Sequence, residues 1–162
     1  MQALRLRPIV KDDQDFLIAV YGATREQEIA QAGWDQDTVA RFVRMQFDAQ
    51  HAHYQQHHPK GNFDVVLYQE QAAGRLYVSR SEERLHVVDI AMLPVFRGRG
   101  IGSALMQELM GEAERDGKSV TIHVEISNPA LAWYQRLGFV EISVGGFHRL
   151  MQWQAARNRV IE

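Results

Sequence analysis

The chain has 162 residues, no cysteine, 46% hydrophobic and 23% charged residues, and a formal charge of -2. This is an ordinary globular composition at a length that usually makes one domain, and it excludes disulfide scaffolds, thiolate zinc sites, iron–sulfur clusters and cysteine nucleophiles. No basic footprint for nucleic acid is present, no stretch approaches the ~20 apolar residues of a membrane span, and the first seven residues lack the apolar run of a signal peptide, so the expectation is a soluble, cytoplasmic, single domain over residues 1–162.

Leu4 and Leu6 alternate with Arg5 and Arg7 before Pro8, which predicts a short first strand. Asp12 and Asp13 precede Phe16, Leu17, Ala19, Val20 and Ala23, a capped helix. Gly33 and Asp35 open a second helix through Val39, Phe42, Val43 and Phe47, stopped by His58-Pro59-Lys60-Gly61. The period then changes. Phe63 to Tyr68, a short run at Leu76 and Val78, and Leu85 to Leu93 read as an antiparallel meander, with Gln71 to Gly74 and Arg80 to Glu83 as its turns.

A loop, Arg97-Gly98-Arg99-Gly100-Ile101-Gly102, leads into a helix with Ile101, Leu105, Leu109, Met110 and Ala113 on one face and Gly117 at its end. Val120 to Ile126 is a strand. Asn128-Pro129 opens a short helix through Arg136 that Gly138 ends, with asparagine suited to the cap and proline to the first turn. Phe139 to Val144 and Phe147 to Trp153 are two last strands, and residues 154–162 a frayed tail. The order β-α-α-β-β-β-α-β-α-β-β predicts an α/β protein with a mixed sheet.

Three glycines between a strand and a helix N-terminus let backbone N–H groups approach a ligand that the helix dipole wants anionic. Phosphate is the usual guest, and Arg97 and Arg99 can add charge-assisted contacts. A Walker A loop is excluded, because Ser103-Ala104 follows Gly102 where lysine is required; the Rossmann spacing is absent too.

That loop resembles the R/Q-x-x-G-x-G/A signature of the GCN5-related N-acetyltransferases, the GNAT family. The preceding Ile90-Ala91-Met92-Leu93-Pro94-Val95-Phe96 resembles the family's lead-in strand. Asn128-Pro129-Ala130 through Trp133-Tyr134 to Leu137-Gly138-Phe139 resembles its second motif, in the right order and spacing. The resemblance covers residues 4 to 153. It implies a mostly antiparallel sheet splayed between the fourth and fifth strands and flanked by about four helices. It implies acetyl-CoA as cosubstrate, with pyrophosphate on the loop from Arg97 to Ser103 and the pantetheine arm along Ile90, Ala91 and Met92. Asn128 takes the position that contacts CoA, and Tyr134 that of the general acid.

The reaction so implied is direct acetyl transfer to a primary amine on a small molecule or a protein. An ammonium must first lose a proton, the oxyanion needs a donor, and the thiolate needs a proton. A phenol with pKa near ~10 stays protonated at neutral pH, as the acid must. The Met92 N–H is the expected oxyanion donor. The base stays open among His86, Asp89, His123, Glu125 and a water chain. Strict alternation puts His86, Val88, Ile90 and Met92 on one face and Asp89 on the other, unless a bulge shifts the parity. A CoA-binding sensor without turnover, or a loop serving another nucleotide, are the rival readings.

His53 and His57 lie four apart, as a metal pair would, but no third ligand accompanies them, so no metal is expected. Trp34, Asp35, Asp37 and Tyr54 lie on the segments that shape the acceptor pocket in the family. Asp35 also suits a helix cap. Trp133 and Trp153 are expected in the core or at a subunit contact, a homodimer being allowed for.

Overall fold

A computed structural model describes residues 3–156; the tail expected to fray lies outside the described residues from 157 on. The chain forms β1 (Leu4–Pro8), α1 (Gln14–Thr24), α2 (Glu26–Ala32), α3 (Gln36–His57), β2 (Asn62–Tyr68), β3 (Gln71–Arg80), β4 (Arg84–Met92), α4 (Ile101–Asp116), β5 (Ser119–Glu125), α5 (Leu131–Arg136), β6 (Val140–Gly145) and β7 (His148–Trp153). Single 3-10 turns cover Lys11–Asp13 and Pro94–Phe96.

One seven-stranded sheet runs β1-β2-β3-β4-β5-β7-β6. β4 and β5 are parallel, while β1–β2, β5–β7 and β6–β7 are antiparallel. The β4–β5 register runs from Arg84↔Ser119 to Val87↔Ile122 and stops short of both strand ends, which is the expected splay.

By contacts the chain divides into two compact units, one holding residues up to Tyr77 with Asp89–Ile101, the other Val78–Val88 with residues from Gly102 on. The first is built on α1 and α3, whose apolar faces bury Leu17, Tyr21, Val43 and Phe47 and draw in Ile9, Ile29 and Phe42. Asp35 caps α3 by accepting the Thr38 N–H at 2.7 Å. In the second unit α4 buries Leu105, Met106, Leu109 and Ala113. β5 there buries Val120, Ile122 and Val124.

Four local expectations change. Glu26–Ala32 is a separate helix that the apolar pattern hides, because Ile29 is its one large apolar residue. β3 begins at Gln71, so Gln71 to Gly74 is strand. The turn is Gln69-Glu70, both at positive φ (51° and 66°), without the glycine or asparagine that announces such a hairpin. Arg80 also belongs to β3, where its guanidinium bonds the Glu112 carboxylate at 2.8 and 2.9 Å. Asn128 is not the helix cap. Its Oδ1 accepts the Ala130 N–H at 2.8 Å, shaping a turn ahead of α5, which starts two residues after Pro129.

Candidate active site

In the first unit the site is the end of β4 and the loop after it. The Leu93 N–H donates to the Ala73 carbonyl at 2.8 Å. Antiparallel alternation then turns the backbone polar groups of Asp89, Ala91 and Leu93 toward β3 and those of Ile90 and Met92 away from it. The two strands approach closely here. A Cβ on Gly74 would lie 2.2 Å from the Ala91 carbonyl oxygen and 2.9 Å from the Met92 Cα, so only glycine fits.

β4 also carries an extra residue. At the β3–β4 hairpin the Ser81 N–H donates to the Arg84 carbonyl, whereas farther along Leu93 faces Ala73. The two registers differ by one residue, so β4 accommodates a bulge between Arg84 and Leu93. Asp89 therefore does not take the face that alternation assigns it. Its carboxylate meets Arg75 and Tyr54: Arg75 Nη2 donates to Oδ2 at 2.7 Å, and the Tyr54 hydroxyl donates to the same oxygen at 3.2 Å. Arg75 is 2% exposed and also donates to Gln50 Oε1 at 2.9 Å. Burial first, and then the Asp89 carboxylate, push the Tyr54 phenol well above its ordinary pKa.

The loop itself is exposed, with Gly98 and Gly100 at φ of 74° and 77°, and α4 starts at Ile101. The first N–H groups of α4 have no acceptor within their own helix, so they can receive an anion. Arg97 turns inward: its Nε donates to the Met92 carbonyl and Nη2 to the Ala23 carbonyl, both at 3.3 Å. The Arg99 guanidinium lies 5.4 Å from the Phe96 ring centroid.

In the second unit Trp133 packs on the start of α4. It sits against Gly102, and its indole N–H donates to Ser103 Oγ at 3.0 Å. Tyr134 is buried on α5, with its ring edge-on to Phe139 at 5.9 Å. On the same face of β4 and β5, His86 Nδ1 is 2.8 Å from Thr121 Oγ1, and the His86 and His123 rings meet edge-on at 5.1 Å. Burial, His148 and Arg84 together lower the His123 pKa. Glu125 lines a cleft of about 510 Å³ with Ile126, Ser127, Phe147 and His148.

Of the residues expected around an acceptor, Tyr54 meets Asp89, Asp35 is spent on its cap, and Trp34 packs on Phe42 at 5.0 Å. His57 Nδ1 engages the His53 carbonyl, and among the described residues no three His, Cys, Asp or Glu side chains group as metal ligands. Arg75 and Gln50 were missed by sequence reasoning. The available signal was a charged residue between Gly74 and the apolar run Leu76-Tyr77-Val78.

The acetyltransferase (GNAT) family model matches residues 24–139. The chain belongs to the GNAT family. This GNAT chain is 32% identical over 68 residues to the probable N-acetyltransferase san of Drosophila melanogaster, covering 40% of the chain and 37% of that relative. It is 42% identical over 62 residues to the N-alpha-acetyltransferase of Sulfurisphaera tokodaii, covering 36% and 37%. N-alpha-acetyltransferase 50 of Danio rerio is 33% identical over 64 residues, 38% of each protein. The matches thus span little more than a third of these relatives' length. Among solved structures, PaiA N-acetyltransferase of Thermoplasma acidophilum, in complex with coenzyme A, superposes with a TM-score of 0.69 at 14% identity over 94% of this chain and 99% of that one. An acetyltransferase of Thermus thermophilus gives 0.63 at 20% identity over 93% and 95%. These likenesses establish a GNAT fold. Among the described residues no helix is long and apolar enough to cross a membrane.

Proposed function

We propose that this GNAT chain transfers the acetyl group of acetyl-CoA directly to a primary amine, and that the amine is the α-amine of a polypeptide. The observation that carries the reading is the glycine loop entering α4 beside a β4 end whose Ile90 and Met92 backbone groups point away from β3. The relatives named N-alpha-acetyltransferase support the acceptor class.

In this reading the N–H groups from Gly98 to Gly102, with Ser103 in the first turn of α4, bind the pyrophosphate. Ile90 and Met92 hold the pantetheine arm as an added strand would, with Ala91 between them turned to β3. The Met92 N–H stabilises the oxyanion. Asn128 contacts CoA through its amide NH₂, since its Oδ1 is engaged by Ala130. We assign the base to His86, an imidazole held with Nδ1 2.8 Å from Thr121 Oγ1, because imidazole is the side chain suited to proton transfer near neutral pH. His123 and Glu125 are the alternatives, and Asp89, already holding Arg75 and Tyr54, is assigned to positioning.

The amine nitrogen attacks the thioester carbon, the base takes an N–H proton, and the C–S bond breaks. Tyr134 gives its proton to the departing thiolate and is reprotonated from solvent. The test is thiol release from acetyl-CoA with peptides bearing free or blocked N-termini and with small amines. The protein contains no cysteine, so it adds no thiol background. Release with free but not blocked peptides is expected. Release with small amines alone overturns the acceptor class, and binding of acetyl-CoA without release from any amine turns the reading into that of a sensor.

A further inference from the structure

We propose that Arg75 is a positioning residue: acting through Asp89, it fixes the β4 segment from Asp89 to Leu93 whose outward backbone groups receive the acetyl-CoA arm. The inference rests on the acetyl-CoA reading above for the ligand, but its structural half stands alone.

A bulge frees a strand from the register that precedes it, so the segment beyond must be fixed by its own contacts. Three consecutive residues of β3 supply them. Ala73 takes the Leu93 N–H, Gly74 admits the backbone of Ala91 and Met92, and Arg75 holds the Asp89 carboxylate. The guanidinium is itself fixed. Its carbon lies 5.9 Å from the Tyr21 ring centroid and 5.3 Å from that of Tyr77, and Nη2 bridges Gln50 and Asp89. Tyr54 adds its hydroxyl to the same carboxylate oxygen.

Stability alone does not account for this arrangement. Desolvating a cation and a carboxylate costs much of what their attraction returns, and well-packed apolar side chains often do as well in the same space. Here the cost is raised further, because the buried Arg75 Nε–H has no acceptor among the described residues. An ion pair of this kind is best used to set a register, and the register it sets is that of the segment offered to the ligand.

The experiment compares the full-length wild type with Arg75→Met, Asp89→Leu, the double variant and Arg75→Lys. Thermal midpoint, hydrogen exchange of the Ala91 and Leu93 amides, and acetyl-CoA affinity with kcat are read for each. The single apolar variants should lose stability, and the double variant should regain it. In the double variant the two amides should still exchange roughly tenfold faster, and acetyl-CoA should bind roughly tenfold more weakly, with kcat changed less. Arg75→Lys keeps the charge without the fork and should fall between Arg75→Met and the wild type in both readouts.

Recovery of exchange and affinity along with the midpoint makes the pair merely structural and overturns the proposal. So does wild-type exchange in Arg75→Lys if the double variant does not fold. A collapse of kcat at unchanged affinity places Asp89 in the chemistry and overturns it likewise. A wild type that does not bind acetyl-CoA refutes the ligand reading instead, and the exchange arm then decides the clamp by itself.

Discussion

Gly74→Ala tests the contact between β3 and the end of β4 most directly. The added Cβ would lie 2.2 Å from the Ala91 carbonyl oxygen, where real contacts stay above 3.0 Å, so the backbones must part by about 0.8 Å. Neither the Ala91 oxygen nor the Met92 Cα at 2.9 Å is the end of a flexible side chain that could swing aside. Overpacking of this kind costs about 1–3 kcal/mol. Weakening the Leu93–Ala73 bond adds about 1 kcal/mol, and the stiffer unfolded chain returns up to about 1 kcal/mol. A net loss near ~2 kcal/mol lowers Tm by roughly 4–8 °C for a protein of this size. The displaced backbone is also the one assigned to the pantetheine arm, so acetyl-CoA affinity should fall about tenfold. Circular dichroism melts and calorimetric titration with acetyl-CoA measure both. Gly145→Ala is the control, because no atom lies within 4 Å of its Cβ position. A Gly74→Ala protein that melts and binds like Gly145→Ala would refute the strand contact and the register drawn from it.

Gly111 lies within α4, and its Cβ position meets only the mobile end of Arg115 at 3.4 Å. Gly111→Ala should therefore raise Tm by roughly 1–4 °C, a gain of about 0.5–1 kcal/mol seen in a thermal melt. Tyr134→Phe should lower kcat at least about tenfold with acetyl-CoA affinity kept, since only the proton donor is lost; unchanged turnover removes Tyr134 from the acid role. His51, His58 and His123 all have pKa values lowered from the ordinary 6.5, mainly by burial. The unfolded state then binds protons first. Their contribution is intact above pH 6.5 and is lost as pH falls below it toward the folded values, so Tm should drop between pH 7 and 5. A Tm flat across that range contradicts the burial of these rings.

The element order was readable wherever one face is apolar and the other polar. α3 shows Val39, Val43 and Phe47 at helical spacing, and α4 repeats the pattern from Ile101 to Ala113. Patterning failed where it carries no contrast. α2 has only Ile29 to bury, and Gln69-Glu70 adopts positive φ without the residues that favour it. There the pairing of β2 with β3 dictates the turn, and local preference yields to it.

The loop and the Asn128-to-Phe139 segment were legible for a different reason. In the proposed reading phosphate needs close backbone approach, which fixes glycines at set spacings, and the proton donor needs a hydroxyl at one place on a short helix. Such demands fall on residue types, and residue types are what a sequence records. The Arg75–Asp89 pair makes no such mark. Its partners are 14 positions apart on two strands, and under uniform alternation the unbulged register would give Asp89 the opposite face from Arg75. One inserted residue reverses that relation without altering composition or period. The trace left behind is an unusual juxtaposition: a glycine that nothing larger can replace, then an arginine with apolar residues after it. In a buried strand both are costly, the glycine by lost packing and the cation by desolvation. Adjacent costs of this kind on one strand mark a place where backbone position, rather than core stability, sets the requirement.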